Sequence, residues 1–142
     1  MVAGGGNVDR LSKQRRSEIM GLVRSENTRP EMVLRLLVHR LGYRYRLHSK
    51  KLPGRPDLVF AGRKKVIFVH GCFWHGHEGC SKAKPPKSNL HYWGAKLRRN
   101  KERDFEHRRR LESEGWRVLI VWQCELKNEG SLRERIIKFL QK

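Results

Sequence analysis

Residues 68–80 read FVHGCFWHGHEGC and hold an unusual density of side chains that bind metals or transfer protons. Three histidines and two of the chain's three cysteines lie in this stretch, directly after a run that is typical of a buried strand. Thiolate and imidazole are ligands that suit zinc. Imidazole also titrates near neutral pH and therefore suits acid–base catalysis. The stretch thus raises two kinds of chemistry, metal binding and proton transfer.

The cysteines and one histidine have the spacing of a zinc site. Cys72, His77 and Cys80 share one loop, and Cys124 follows another predicted strand that could direct it back to that loop. A closed set of three thiolates and one imidazole is typical of structural zinc, which orders a loop with little core of its own. The alternative reading is that the cysteines are reduced and buried as small hydrophobic side chains. Because all three cysteines belong to the set, the pattern favours zinc.

An acid and a histidine are predicted at adjoining ends of two neighbouring strands. Asp57 begins a strand in the segment GRPDLVF, and His70 ends the next strand. Neighbouring strands lie only about 5 Å apart, so the two side chains can meet at one site. The pair resembles the strand pair of restriction-enzyme-like nucleases, in which the acid binds Mg²⁺ and a Glu-x-Lys commonly completes the site. Val69 and His70 stand there instead, and the backbone carbonyl of Val69 can replace the missing oxygen ligand.

These residue types fit the hydrolysis of a phosphodiester. That reaction needs a cation to neutralise the phosphoryl oxygens and a base to deprotonate water. Asp57 can hold the metal while His70 and His75 handle protons. The alternative reading makes Asp57 a turn or cap residue and the histidines surface residues. Glu31 and Asp104 lie in charged helices, where only proximity to a histidine would make either acid an orienting partner.

The charge of the chain indicates a polyanionic partner. Its 142 residues include 33 Lys and Arg against 14 Asp and Glu, which leaves a formal charge of +19. Side chains that neutralise phosphates release counterions, so nucleic acid is favoured over an anionic membrane. No apolar run approaches the roughly 18 residues that span a bilayer, and the N-terminus lacks the apolar segment of a signal peptide. We therefore expect a cytoplasmic, nucleoid-associated protein.

The predicted elements form one domain that positions these residues. Residues 1–10 are rich in glycine and predict a flexible arm, whereas residues 11–142 predict a single domain. Thr28 and Glu31 fit a capping box for a helix that stops at Gly42, and Ser131 with Glu134 fits a second one. Further helices are predicted at 11–25 and 92–114, and strands at 43–48, 57–61, 65–70 and 116–122, with a tight hairpin at 62–63. This order predicts an α/β domain whose mixed central sheet is flanked by helices.

Large aromatic side chains accompany the predicted zinc loop. Phe73 and Trp74 lie inside it, and Trp93 follows a basic stretch. Such side chains form either the small core of the loop or wedges that enter a stack of bases. A zinc ion would already order the loop, so the pattern favours wedges.

Four segments, LPGRPDLVF, VIFVHGCFWHGH, NKERD and GWRVLIVWQCEL, together resemble the very short patch repair endonucleases, the Vsr family. The resemblance runs from about Leu11 to about Leu126. It implies a restriction-endonuclease-like fold with a structural zinc loop and Mg²⁺-dependent nicking of DNA, with one or two ions. The implied substrate is double-stranded DNA with a T:G mismatch left by deamination of 5-methylcytosine. It implies a monomer and leaves contact with mismatch-repair proteins open.

The resemblance also assigns roles to individual residues. It places Mg²⁺ on Asp57 and the carbonyl of Val69, and it makes His70 and His75 catalytic. It further implies that Asp104 supports His75 and that Glu31 supports His70. The implied zinc ligands are Cys72, His77, Cys80 and Cys124, and the side chains that intercalate into DNA are Phe73, Trp74 and Trp93, while the N-terminal arm embraces the duplex.

Two other functions compete with mismatch nicking. One is a restriction-like endonuclease that cuts a duplex without needing a mismatch. The other is a zinc-containing DNA-binding module without catalysis. The first shares the reaction but not the substrate, and the second lacks the reaction altogether.

Overall fold

The computed structural model describes residues 28–84 and 88–141. The predicted N-terminal arm and the predicted helix at 11–25 lie outside these residues. Within the described ranges, the helices are α1 (Arg29–Arg40), α2 (Leu90–Ser113) and α3 (Glu129–Gln141), and the strands are β1 (Arg46–Leu47), β2 (Leu58–Phe60), β3 (Lys65–His70) and β4 (Arg117–Trp122). None of these helices is long and apolar enough to cross a membrane.

The four strands form one mixed sheet in the order β1-β2-β3-β4. β1 pairs with β2, and β2 with β3, in antiparallel fashion, whereas β3 and β4 run parallel. The parallel pair is in register from Lys65 opposite Arg117 to His70 opposite Trp122. The long loop after β3 and then helix α2 make the connection between these two strands. The predicted mixed sheet is confirmed, and β3 has the predicted bounds.

Helices cover both faces of the sheet. On one face α1 and α3 pack against the strands through Leu34, Leu37, Val38, Leu58, Phe60, Ile67, Val121, Leu132, Ile136 and Leu140. On the other face Leu111 of α2 packs against Val59, Val66, Phe68 and Val118. Burial of one large apolar side chain stabilises a fold by about 1.5–3 kcal/mol. β3, which places apolar side chains in both clusters, is therefore firmly anchored, as its continuous apolar sequence predicts.

The start of α1 fixes one acidic side chain. The backbone N–H of Thr28 donates to Oε2 of Glu31 at 3.3 Å, and Pro30 lies in the first turn, where its missing N–H has no helical partner to lose. Gly42, with a φ of +89°, follows the last turn as predicted. Glu31 is consequently held buried at the sheet side of α1.

Three features differ most from the sequence prediction. β1 contains only Arg46 and Leu47, because it is an edge strand and the backbone turns at the next residue. α3 begins at Glu129, so Ser131 lies inside its first turn and is not its cap. The predicted hairpin between β2 and β3 is present, but its loop is longer than residues 62–63 and consists of a short 3₁₀ turn, Ala61–Arg63, followed by Lys64 at a φ of +56°.

The turn before β2 is packed against α2. Gly54 has a φ of +76°, and a Cβ at this position would lie 3.0 Å from the ring of His107. Two positions further on, Pro56 is fully buried and leads into Asp57. The close approach of this turn to α2 therefore helps to place Asp57 at the end of the sheet.

We expect Gly54→Ala to lower the free energy of unfolding by about 1–3 kcal/mol, because alanine is strained at this φ and its methyl group would collide with His107. Urea-induced unfolding followed by circular dichroism measures the change. Gly62→Ala is the matched control, since nothing lies within 4 Å of its added Cβ. Equal stability of the two variants would contradict the packing described for this turn.

Candidate active site and metal centre

The ends of β3 and β4 bring the cysteines together. His70 and Trp122 are paired at the last position of the parallel register. Cys72 and Cys124 each follow their strand by the same distance in sequence, so the register places them side by side. The ends of this strand pair thus position two of the four predicted zinc ligands.

The loop completes a cluster able to hold a metal. One ligand atom from each of Cys72, His77, Cys80 and Cys124 lies within 4.8 Å of every other. Sγ of Cys124 and Nδ1 of His77 are 3.5 Å apart. Tetrahedral zinc with ordinary bond lengths would hold these two atoms about 3.6 Å apart, so the donor set and its size fit zinc. The ring of His77 also stacks on Trp122, with centroids 4.1 Å apart.

The thiols of this cluster differ in their pKa values. Burial raises the pKa of Cys72 to about 11, and the neighbouring thiols of Cys124 and Cys80 act against its ionisation as well. The backbone N–H of Lys82 lowers the pKa of Cys80. Three thiols this close cannot all ionise without a compensating cation. The electrostatics therefore agree with the geometry in fitting a metal ion.

His75 belongs to a different cluster from His77. Its Nδ1 lies 2.6 Å from Oδ2 of Asp104 on α2, and its ring stacks on that of His70 with centroids 3.8 Å apart and planes inclined by 8°. Spacing alone leaves open which of the two loop histidines reaches the cysteines. The structure groups His77 with the cysteines, and it groups His75 with His70 and Asp104.

His70 lies in a closed environment at the end of β3. Burial lowers its pKa to about 3, and the neighbouring His75 adds to that effect, whereas the carboxylate of Asp104 opposes it. Its edge contacts Trp122, with ring centroids 5.3 Å apart. Among the described residues, its buried Nδ1 has no hydrogen-bond partner. The imidazole is consequently neutral at physiological pH and is held in place by ring contacts.

Asp57 lies beside Val69, as expected for the two predicted Mg²⁺ ligands. The backbone N–H of Val69 donates to Oδ2 of Asp57 at 2.7 Å. The N–H and C=O of one strand residue point to the same side, so the Val69 carbonyl also faces β2. The β2–β3 register, continued by two residues, places Pro56 opposite Val69, and proline has no N–H to donate. The Val69 carbonyl therefore lacks its usual partner in the sheet and is suited to bind a cation.

The pKa of Asp57 is raised from 3.8 to about 7. Burial is the main cause, and the nearby carboxylate of Glu31 contributes, while the N–H of Val69 opposes the shift. Two carboxylates in a partly buried site repel one another, and a divalent cation between them would remove that repulsion. This pair of acids thus fits a site for a hard divalent cation.

The structure places Glu31 in a different cluster from the one that the sequence predicted. We expected it to support His70, but its carboxylate lies with His48 and Asp57, whereas His70 lies with His75 and Asp104. Nε2 of His48 is 3.4 Å from Oε2 of Glu31 and 3.7 Å from Oδ1 of Asp57. The structure does not bring Glu31 into the cluster of His70, because the direction in which α1 presents Glu31 depends on helix packing, which periodicity does not reveal.

His48 is a site residue that the sequence analysis missed. The β1–β2 register, Leu47 opposite Leu58, places His48 directly opposite Asp57, and the N–H of His48 donates to the carbonyl of Asp57. A signal was present in the sequence. Pairing the predicted strands at 43–48 and 57–61 as a hairpin in this register would have brought the two residues together.

The three candidate intercalating side chains pack against one another. Ring centroids are 5.0 Å apart for Phe73 and Trp74, 5.3 Å for Phe73 and Trp93, and 6.0 Å for Trp74 and Trp93, all in edge-to-face geometry. Nδ2 of Asn100 donates to the carbonyl of Trp74 at 2.8 Å and ties the loop to α2. In this structure the rings form a small core of the loop, so insertion into DNA would require the cluster to open.

The fold and the site define a class of protein. A mixed sheet flanked by helices carries paired carboxylates, two stacked histidines with an acid, and a Cys₃His cluster at one end of its parallel strands. This combination is that of a DNA endonuclease with a restriction-endonuclease-like core. The family described as "DNA mismatch endonuclease Vsr" matches residues 8–82, and the chain belongs to that family.

Individual relatives agree with this assignment. The chain is 54% identical over 132 residues to the type II nicking enzyme V.XorIIP of Xanthomonas oryzae pv. oryzae, covering 93% of this chain and 96% of that protein. It is 39% identical over 125 residues to the DNA mismatch endonuclease Vsr of Escherichia coli, covering 88% and 80%. The solved catalytic domain of the homing endonuclease I-Bth0305I has a TM-score of 0.56 at 23% identity, covering 80% of this chain and 94% of that one. The last comparison supports the fold alone.

We expect Asp57→Asn to unfold at a higher temperature than the wild type when no Mg²⁺ is added, because the amide avoids burying a negative charge. Between pH 3.8 and about 7 the folded carboxyl holds more protons than the unfolded one, so its ionisation lowers stability increasingly as the pH rises through this window. The gain in melting temperature should therefore be larger at about pH 8 than at about pH 5.5.

Differential scanning calorimetry of zinc-loaded protein measures this difference. Glu102→Gln, at an exposed position of α2, is the control for removing one negative charge. An Asp57→Asn protein that melts below the wild type at both pH values would contradict the burial cost assigned to this carboxylate.

Proposed function

We propose that this protein is an endonuclease that nicks the T-containing strand at T:G mismatches arising from deamination of 5-methylcytosine, and that it uses Mg²⁺ to do so. The observation that most supports this proposal is the hydrogen bond from the N–H of Val69 to Asp57, which holds the two predicted cation ligands together near the end of β3. Membership of the Vsr family and the name of the Escherichia coli relative support the choice of substrate.

Asp57 and the carbonyl of Val69 would hold the Mg²⁺. When bound, this cation supplies charge neutralisation at the phosphoryl oxygens and makes water more acidic. The chain's own contribution is to present both oxygens on adjacent strands, so that little rearrangement is needed when the ion and the phosphate arrive. A partly buried carboxylate with a raised pKa gains most from such an ion.

His75 has the geometry of a general base. Asp104 binds Nδ1 at 2.6 Å, which leaves Nε2 as the nitrogen that takes a proton from the attacking water. As that proton arrives, the carboxylate stabilises the imidazolium that forms. His70, stacked on His75, restricts the rotation of its ring.

Zinc would bind to Cys72, His77, Cys80 and Cys124 and would have a structural role. All four positions of a tetrahedral ion are then filled by the chain, so no site remains for water or substrate. The ion would fix the loop that carries His75 between two of its ligands. It would thereby hold the general base against Asp104.

The surface of the protein supports binding to the DNA backbone. A formal charge of +19 provides many cations for phosphates, and Lys96 lies over the ring of Trp74.

We propose that Phe73, Trp74 and Trp93 enter the base stack beside the mismatch and that the N-terminal arm embraces the duplex. Opening their cluster and unstacking the bases both cost energy, and the second cost is lowest where pairing is already weak. The protein would act as a monomer on the nucleoid, and contact with mismatch-repair proteins remains part of this proposal.

The decisive experiment compares duplexes of one sequence that carry either a T:G mismatch or a matched pair at the same position. We expect the T-containing strand of the mismatched duplex to be nicked at least about tenfold faster, since a saving of only about 1.4 kcal/mol in opening the pair gives this ratio. Sequencing gels with either strand labelled locate the nick, with and without Mg²⁺.

Asp57→Asn is the control in this assay, because it should fold yet nick at least about 10³-fold more slowly without its cation ligand. Equal rates on both duplexes would instead establish the restriction-like alternative. DNA binding without any cleavage by the wild type would establish the non-catalytic module.

Substitutions in the two loop histidines should separate catalysis from zinc binding. We expect His75→Ala to keep one zinc per chain and its melting temperature while nicking falls by about 10²–10⁴-fold, as loss of a general base does. His77→Ala should lose zinc and melt at a lower temperature. Metal content by mass spectrometry and thermal unfolding measure both effects, and zinc loss from His75→Ala would reverse the two assignments.

A further inference from the structure

The proposed mechanism leaves His48 without a role, although its ring lies within the cation site. Its Nε2 is 3.4 Å from Glu31 and 3.7 Å from Asp57, and its side chain is only 11% exposed. One ligand atom from each of these three residues lies within 4.8 Å of the other two. An imidazole nitrogen thus shares a small space with two carboxylates.

The backbone holds His48 in this place. Its N–H donates to the carbonyl of Asp57 across the β1–β2 pair, and its φ is +42°, a value uncommon for a residue with a side chain. Uncommon backbone conformations persist where the surrounding structure fixes them, and they cluster at functional sites. The position of the ring is therefore set by the sheet.

Charged side chains contact the ring of His48. Nη2 of Arg35 lies 3.3 Å from Oε2 of Glu31 and 3.5 Å from Nε2 of His48. In the tautomer of His48 that carries its proton on Nδ1, Nε2 has a lone pair that can accept from Arg35 or bind a cation. When both are ionised, the carboxylates of Glu31 and Asp57 attract a divalent cation to the space that they share with His48.

We propose that His48 binds the catalytic divalent cation directly through Nε2, beside carboxylate oxygens of Asp57 and Glu31, and that the site therefore prefers Mn²⁺ to Mg²⁺. Imidazole suits transition metals, whereas Mg²⁺ takes oxygen ligands almost exclusively. This inference rests on the cation site of the proposed function, but it concerns the identity of the ligands and the metal rather than the DNA substrate.

The test measures metal binding by the full-length, zinc-loaded protein without DNA. Isothermal titration calorimetry gives the affinities for Mn²⁺ and Mg²⁺, and pulsed electron paramagnetic resonance of bound Mn²⁺ detects a coupled ¹⁴N nucleus. The variant is His48→Gln, which replaces the imidazole by a neutral side chain that has an amide oxygen. The matched control is His39→Gln, on an exposed histidine of α1.

We expect the wild type and His39→Gln to bind Mn²⁺ more tightly than Mg²⁺ and to show the ¹⁴N coupling. His48→Gln should lose the coupling and bind Mn²⁺ about 10–100-fold more weakly. Removing a side chain that only hydrogen-bonds to a metal ligand already weakens metal binding by this factor. Its affinity for Mg²⁺ should change by less than about threefold, since oxygen ligands remain.

Two results would overturn the inference. The first is a ¹⁴N coupling that is absent from the wild type or persists in His48→Gln. The second is a loss of affinity in His48→Gln that is equal for Mn²⁺ and Mg²⁺, because His48 would then only position the carboxylates. The nicking assay keeps the two proposals apart. If the wild type nicks T:G duplexes with Mg²⁺ but shows no ¹⁴N coupling, only the inference about His48 is wrong. If it shows the coupling but nicks matched and mismatched duplexes equally, only the proposed substrate is wrong.

Discussion

The parallel register between β3 and β4 is the constraint on which the site depends. This register ends with His70 opposite Trp122, so both strands end at the same level of the sheet. Cys72 and Cys124 meet for that reason, and Trp122 contacts both His70 and His77. A slip of one residue would turn every side chain of one strand to the opposite face. The apolar clusters on both faces of the sheet oppose such a slip and so maintain the site as well as the fold.

Both candidate metal sites concentrate groups that repel one another when charged. The carboxylates of Asp57 and Glu31 raise the cost of ionisation at one site, and the thiols around Cys72 do so at the other. Such arrangements lower the stability of a protein unless a cation compensates them. Here the sheet and its two flanking layers hold these groups in place. The stability of the core therefore maintains an active site that is unfavourable on its own.

Local signals in the sequence predicted much of this arrangement. The continuous apolar run of β3 gave its bounds and its burial on both faces, and the spacing of the cysteines grouped Cys72, Cys80 and Cys124 correctly. The features that the sequence did not reveal depend on contacts between residues that are distant in the chain. The direction in which α1 presents Glu31 is set by helix packing, and the position of His48 is set by a hairpin register and a turn at positive φ. The start of α3 was misplaced because the helix already begins at Glu129, so that Ser131 lies inside its first turn.

The Cys₃His cluster also has a consequence for how the chain folds. Its members His77 and Cys124 are 47 positions apart, and closing a flexible loop of that size costs roughly 3 kcal/mol of chain entropy. In the folded chain, pairing of β3 with β4 meets this cost, since it aligns the two strand ends. A metal ion that arrives afterwards finds its ligands gathered, whereas one that arrives earlier meets only the loop ligands Cys72, His77 and Cys80. The sheet would therefore act as the template for metal capture, because strand pairing is what brings Cys124 to the ligands of the loop.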